Sequence, residues 1–269
     1  MQIIIPMTGY GSRFVAAGYK ELKPFIPVMG KPIIEWIVKK MYPNEKDFIF
    51  ICRQEHLDQI EDMRETLLNL VPTAKIFAIK DWVKKGPVYD VMRTADWIDD
   101  SIPCIINYCD FYMTWDWEQF KNDVEKRNCD GCIPCYTGFH PHLLPEKNLY
   151  ASCQTDADDN LLEIREKYSF EQDKSKGRHS PGVYYFKNGA FLKKYCQEMI
   201  DEGVMLNGEF YASLPYNFMV KDGLKVWIPT NVQYFCQWGT PEDMEECKYW
   251  LNVMRSIKNE HTDSDGRRG

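Results

Sequence analysis

The stretch Met7-Thr8-Gly9-Tyr10-Gly11-Ser12-Arg13-Phe14 sets two glycines and a guanidinium directly after an apolar run, Gln2–Met7. Glycines in a turn leave backbone N–H groups exposed and let an anionic ligand approach closely. Arg13 adds a two-pronged donor and Lys23, beside Pro24, a point charge, a pair suited to a triphosphate. From Tyr10 to Lys31 the charges are Arg13, Lys20, Lys23 and Lys31 against Glu21 alone, a local excess of +3 in a chain of formal charge −7. The turn is not the dinucleotide fingerprint, because the sixth position of G-x-G-x-x-G is Phe14. Nor is it a P-loop: Gly30-Lys31 runs into Pro32 instead of Ser or Thr, and Phe25 stands where the earlier glycine belongs. Taken alone, the turn is equally a tight structural loop, and the charges equally a chance grouping of surface lysines.

The elements that must carry this turn alternate strand and helix. Strands are expected at Gln2–Met7, Asp47–Arg53, Lys75–Ile79 and Pro103–Cys109. Helices are expected at Pro32–Met41, Glu55–Leu70, Val88–Ile98 and Trp117–Arg127. Glu55–Leu70 carries its apolar stripe at Leu57, Ile60, Met63, Leu67 and Leu70. Such alternation implies an α/β fold around a parallel, doubly wound sheet. The second half reads differently, with strands at 130–136, 150–155, 161–167, 182–186, 225–228 and 232–238, so an antiparallel or mixed extension is expected. Helices are expected at Ala190–Glu202, Glu209–Lys221 and Pro241–Ile257. In a doubly wound sheet ligands sit beyond the carboxyl ends of strands where winding reverses, which brings the loops after the first and fourth strands side by side. The fourth strand ends in Asn107-Tyr108-Cys109-Asp110, so Asp110 is the acidic group best placed to hold Mg²⁺ against phosphates gripped by Arg13 and Lys23. A cap or turn former is the alternative for a single aspartate at a strand end.

With these residues in hand, the chain resembles the sugar-1-phosphate nucleotidyltransferase superfamily, whose signature G-x-G-x-R…K-P…G-K-P stands at Gly9, Gly11, Arg13, Lys23-Pro24 and Gly30-Lys31-Pro32. The resemblance implies a three-layer, doubly wound, mixed but mostly parallel sheet of Rossmann-like, nucleotide-diphospho-sugar transferase type. It implies nucleotide binding by Met7, Thr8, Gly9, Gly11, Ser12, Arg13 and Lys23, and a metal-binding Asp110. It also implies a base contact at Gly86 and acceptor contacts at Glu166 and Lys167, at Gly182 in Ser180–Phe186, and at Glu209 in Asn207–Tyr211. Without it, Glu166 and Lys167 read as a solvated charge pair and Gly182 as a bulge or strand entry. Asn207–Tyr211 and Trp238–Asp243 resemble a branch associated with capsule and surface polysaccharide, though Thr240-Pro241 is also an ordinary helix start. Many members carry a second metal carboxylate where this chain has Gln237. Either Gln237 binds through its amide oxygen, or Glu209 or Asp243 substitutes, or one carboxylate suffices.

The implied activity is transfer of a nucleoside monophosphate from an NTP to a phosphorylated small molecule, a sugar 1-phosphate first, with release of pyrophosphate. Cytidylyltransferases of phosphocholine, phosphonate or phosphoglutamine share the scaffold. A glycosyltransferase would carry D-x-D, but Asp110-Phe111-Tyr112 lacks the second Asp, and Asp156-Ala157-Asp158 sits in a turn-like run. A non-catalytic nucleotide binder would tolerate loss of Asp110, whereas Arg13, Lys23 and Asp110 are all present. The acidic balance, 33 Lys+Arg against 40 Asp+Glu, opposes broad nucleic-acid binding. No apolar stretch approaches the ~18 residues of a membrane span. The first residues lack a basic leader, so a cytoplasmic protein is expected. The ten cysteines are scattered and read as reduced. Cys129, Cys132 and Cys135 read as buried thiols, the last two on opposite sheet faces. His140 and His142 read as loop residues. One domain over residues 1–258 is expected, with 259–269 a disordered tail. The oligomeric state is open, a homodimer being one option that 14% aromatic content would serve.

Overall fold

A computed structural model of the protein describes residues 1–265, with side chains to residue 257. Ile3, Ile4 and Ile5 of β1 (Gln2–Pro6) are all fully buried. Their side chains divide by parity: Ile3 and Ile5 join one core with Phe48 and Phe50, and Ile4 joins a second with Ile49 and Ile51. A strand covered on both faces needs no polar alternation, which is why its sequence is a continuous apolar run. The other strands of the central sheet are β2 (Phe48–Arg53), β3 (Lys75–Ile79), β4 (Cys104–Asn107), β5 (Gly131–Cys132), β6 (Val183–Phe186) and β7 (Val226–Trp227). Their order is β7-β5-β6-β4-β1-β2-β3. Pairing is parallel from β3 through β2 and β1 to β4, and between β7 and β5, while β6 runs antiparallel to both its neighbours. This is the expected three-layer, mostly parallel architecture.

The chain winds from β1 to β2 and β3, then crosses to the other side of β1 to form β4. The switch point therefore lies between β1 and β4, and their carboxyl-end loops are neighbours. A three-stranded antiparallel sheet of Leu161–Arg165, Ser152–Thr155 and Arg178–His179 flanks this core. A two-stranded ribbon pairs Phe111–Thr114 with Tyr234–Gln237. No helix among the described residues is long and apolar enough to cross a membrane.

Several expected elements differ. Glu55–Leu70 is two helices, Gln54–Gln59 and Met63–Leu70, parted where Ile60 is extended. Leu57, Ile60, Met63, Leu67 and Leu70 still pack on one core, since periodicity reports the buried face and not continuity. The helix expected over Val88–Ile98 is Pro87–Met92 followed by a 3₁₀ turn, Ala95–Trp97. The strand expected over 130–136 shortens to Gly131–Cys132, although the backbone beyond it still bonds to residues 227 and 229 and to His179. Glu209–Lys221 is helical only from Pro215 to Lys221. Its first residues are held elsewhere: Phe210 N–H donates to Lys85 C=O at 2.8 Å, and Phe210 C=O accepts from Val88 N–H at 3.2 Å. The strand Phe111–Thr114 was not expected. Cys132 and Cys135 do point into different cores. The final helix runs Pro241–Asp265, past the boundary expected at residue 258, and residues 266–269 of the expected tail lie outside the described residues.

Candidate active site

The chain leaves β1 through Met7, whose N–H donates to Ile51 C=O at 2.8 Å and whose side chain is buried in the core. Met7 is thus anchored in the core, its donor used in the sheet, and it is not among the residues that line the cleft described below. Beyond it, the N–H groups of Gly9 to Arg13 have no hydrogen-bond acceptor among the described residues. Gly11 takes φ +60°, the left-handed conformation that suits glycine, and a Cβ there would only touch the Lys23 Cβ, at 3.7 Å. The turn leads into the short helix Ser12–Ala16, moored by buried Phe14. Arg13 is exposed and has no ion-pair partner among the described residues.

Lys23 opens a 3₁₀ turn, Lys23–Phe25, and reaches across the switch point to Asp110, with Nζ to Oδ2 at 2.7 Å. Two residues 87 positions apart thus form one ion pair at the carboxyl ends of β1 and β4. Trp238 N–H donates to the Asp110 carbonyl at 3.1 Å. In the ribbon, Gln237 stands opposite Phe111. A Cβ on Gly239 would lie 2.4 Å from Gln237 Nε2 and 3.4 Å from Asp110 Oδ2. Glycine at 239 therefore keeps open the space where these two polar groups converge. Of the two other residues weighed for this position, Glu209 is paired with Lys84 at 2.7 Å and Asp243 accepts from Thr240 Oγ1 at 2.7 Å.

These loops border a cleft of about 300 Å³, in the range that takes a small ligand. Thr8, Gly9, Gly11, Ser12, Arg13, Lys23, Gly86, Asp110 and Glu209 all line it. Gly86 is required by close approach: at φ +93°, a Cβ would sit 2.6 Å from Phe210 N and 2.8 Å from Phe210 O. The same crossing holds Glu209 and Tyr211 at the cleft wall. Lys167 adjoins it from behind, with Nζ 3.1 Å from the Tyr211 hydroxyl and its own backbone at φ +53°. Gly182 does not line the cleft. It backs Tyr108, which does, and its C=O accepts from Tyr108 N–H at 3.0 Å. Sequence reasoning missed Tyr10, Trp82, Asp90, Tyr108 and Tyr211 in the lining. Only Asp90 carried a signal, a charge between the core residues Val88 and Val91 on a short helix.

Glu166 also lies behind the lining, accepting from Ser213 Oγ at 2.5 Å. Burial pushes its carboxyl from 4.5 up to about 7, against the pull of the Ser213 hydroxyl and the Lys167 charge. Between those pH values the folded chain holds a proton that the unfolded chain releases. This contribution to stability is full below about 4.5 and is lost as pH rises through about 7. The loss is at most about 3 kcal/mol, or roughly 5–10 °C in Tm. Glu166→Gln is expected to flatten that part of a Tm-versus-pH profile; identical profiles for the two proteins would remove the assignment. The two loop histidines lie elsewhere: His142, bonded to the Tyr136 hydroxyl at 2.9 Å, is held neutral by burial, its pKa pushed down to about 3. Asp156 accepts from the N–H groups of Asp158 and Asn160, so the D-x-D run is a turn.

No family model matches the chain, and no curated protein matches it in sequence. Solved structures do match. A nucleoside-diphosphate-sugar pyrophosphorylase from Vibrio cholerae superposes over 91% of this chain and 99% of its own, at TM-score 0.73 and 18% identity. A UDP-glucose pyrophosphorylase complexed with UDP-glucose covers 94% and 98%, at TM-score 0.72 and 16% identity. The chain has their fold. The inositol-1-phosphate CTP transferase of T. maritima shares this pyrophosphorylase fold at TM-score 0.66 and 14% identity, over 92% of this chain and 96% of that one. These superpositions cover 91–94% of the chain and show its fold, while identities of 14–18% are too low to carry residue roles.

Proposed function

We propose that the chain is a nucleotidyltransferase: it moves a nucleoside monophosphate from an NTP to a phosphorylated small molecule and releases pyrophosphate. One observation carries the reading. Arg13 and a run of N–H groups, without partners among the described residues, line one cleft with the Lys23–Asp110 pair at the switch point of a pyrophosphorylase-like fold. That is an anion cradle beside a carboxylate, the arrangement a triphosphate and its counter-ion require. The acceptor phosphate is already ionised near neutral pH, so the chemistry needs alignment and charge neutralisation more than a general base. Arg13 and the loop N–H groups bind the triphosphate, Lys23 swings from Asp110 to share its charge, and Arg13 and Lys23 stabilise the departing pyrophosphate. Lys167, with Glu166 and Glu209 nearby, orients the acceptor. A sugar 1-phosphate is the first candidate, as a precursor of surface polysaccharide.

Asp110 and Gln237 fit a Mg²⁺ ion. The Asp110 carboxylate and the Gln237 amide converge over Gly239, with Nε2 as the amide atom nearest that glycine; turned by about 180°, the amide would present its oxygen beside the carboxylate, and such an ion takes its remaining ligands from phosphate and water. When bound, it would supply further neutralisation of phosphate charge. The backbones that carry the two side chains are fixed independently of Lys23, Gln237 by the ribbon and Asp110 by the bond its carbonyl accepts from Trp238 N–H.

The test is pyrophosphate release from CTP, UTP, dTTP, GTP and ATP against a panel of phosphorylated acceptors. Release with at least one pair is expected; turnover of nucleotide sugars without any pyrophosphate would instead support glycosyl transfer. Arg13→Ala is expected to lower kcat/KM by about 10–100-fold with the fold intact, the value of one charge-assisted contact. Wild-type turnover in the folded variant would remove Arg13 from the triphosphate site.

A further inference from the structure

Asp90 is a buried charge that the proposed chemistry leaves unused. It sits on the helix Pro87–Met92, which begins after Gly86, is 2% exposed, and is among the residues that line the cleft. Its Oδ2 accepts from both Thr8 Oγ1 and Trp82 Nε1, the latter at 3.0 Å. Its Oδ1, itself buried, has no hydrogen-bond partner among the described residues. A buried carboxylate oxygen without a donor is costly, and a fold that keeps one beside a ligand cleft leaves that donor to the ligand. The surrounding groups are equally specific. Tyr10 and Trp82 stand edge to face at 4.9 Å, and Arg53 covers both rings from behind without lining the cleft. The side-chain donors that touch Asp90 are already spent on Oδ2.

Resting on the nucleotidyltransferase reading, we propose that Asp90 selects the nucleobase, its free Oδ1 accepting one hydrogen from an exocyclic amino group. A lone acceptor of this kind suits an edge that pairs one amino donor with a neighbouring ring nitrogen, the edge shared by cytosine and adenine. Uracil and thymine have no amino group and offer only the ring N3–H, set between two carbonyl oxygens that a carboxylate repels. Guanine would offer two parallel N–H donors, which call for both oxygens, and Oδ2 is engaged by Thr8 and Trp82. A site built to accept an amino hydrogen rejects bases lacking it strongly, because its own polar group is then left unpaired.

The experiment measures kcat/KM for pyrophosphate release with CTP, ATP, UTP, dTTP and GTP, and thermal shift with each nucleotide and Mg²⁺. Wild type is expected to favour CTP or ATP by about 100-fold or more over the other three. The CTP and ATP arms distinguish the two amino-bearing bases. Asp90→Asn, which places a donor beside the retained acceptor, is expected to cut that preference at least about tenfold. Preference for UTP, dTTP or GTP, or an unchanged base ranking in a folded Asn variant, overturns the role of Asp90 while leaving nucleotidyl transfer in place. If no NTP yields pyrophosphate but CTP or ATP alone stabilises the protein, it is the transfer reading that fails and the base selection that stands. If the Asn variant does not fold, the wild-type ranking by turnover and by thermal shift decides.

Discussion

Asp110→Asn is expected to reduce pyrophosphate release by about 100-fold or more at unchanged fold. The substitution keeps the volume and the backbone bond from Trp238 but removes the charge. Two functions go with that charge: the counter-ion that holds Lys23 at 2.7 Å and the carboxylate that faces Gln237. A single charge-assisted contact accounts for about 10–100-fold, and one that strengthens as the transferred phosphorus changes partner accounts for more. Stability should change little, because a partly exposed pair contributes about 0–1 kcal/mol. NTP binding should fall less than turnover, since Arg13 and the loop N–H groups remain, and excess Mg²⁺ should recover part of the rate. Melting temperature and Mg²⁺-titrated pyrophosphate release on one preparation separate this from a structural turn aspartate. A destabilised variant with full activity per folded molecule would end the metal-ligand role.

Gly86→Ala is the second large effect, and here stability leads. A Cβ at position 86 would meet the Phe210 backbone at 2.6 and 2.8 Å, with no flexible side chain to yield. The backbone at φ +93° adds the strain of a conformation that L side chains rarely adopt. Together these should cost about 2–4 kcal/mol, roughly 5–10 °C in Tm, and raise KM as Glu209 and Tyr211 are pushed off the cleft wall. Gly30→Ala is the control. It has the same left-handed strain, φ +80°, with nothing within 4 Å, so it should cost only about 1 kcal/mol. Equal losses in the two variants would mean that the crossing of residues 85–88 with Phe210 does not hold the wall.

Much of the architecture could be read from residue order because it rests on local rules. A run such as Ile3-Ile4-Ile5 has to be covered on both faces, and alternating strand and helix signals leave few topologies open. The helix Trp117–Arg127 appears with the bounds expected, its Asp116 side chain capping Gln119 N–H. The grouping of Arg13, Lys23 and Asp110 around one cleft was also legible. Glycine spacing marks the turn, and the switch-point rule places the fourth strand's end beside it. The expected helix over Glu209–Lys221 failed at its start because propensity cannot register that Phe210 gives both backbone bonds to Lys85 and Val88.

The amino-acid sequence by itself determined the class of fold, the glycine turn that carries Arg13 and the acidic residue that shares its cleft, since each follows from residue types within a few positions or from a general rule of winding. Only the tertiary structure decided which polar group shares space with Asp110. Gln237 reaches it through a ribbon with Phe111–Thr114 whose pairing spans more than a hundred residues. Tertiary structure alone also decided that Asp90, on a short apolar helix, spends one oxygen on Thr8 and Trp82 and has no partner for the other among the described residues. Such choices depend on which buried groups find partners across distant segments, and hydrogen-bond satisfaction is a property of the packed chain that no local window contains.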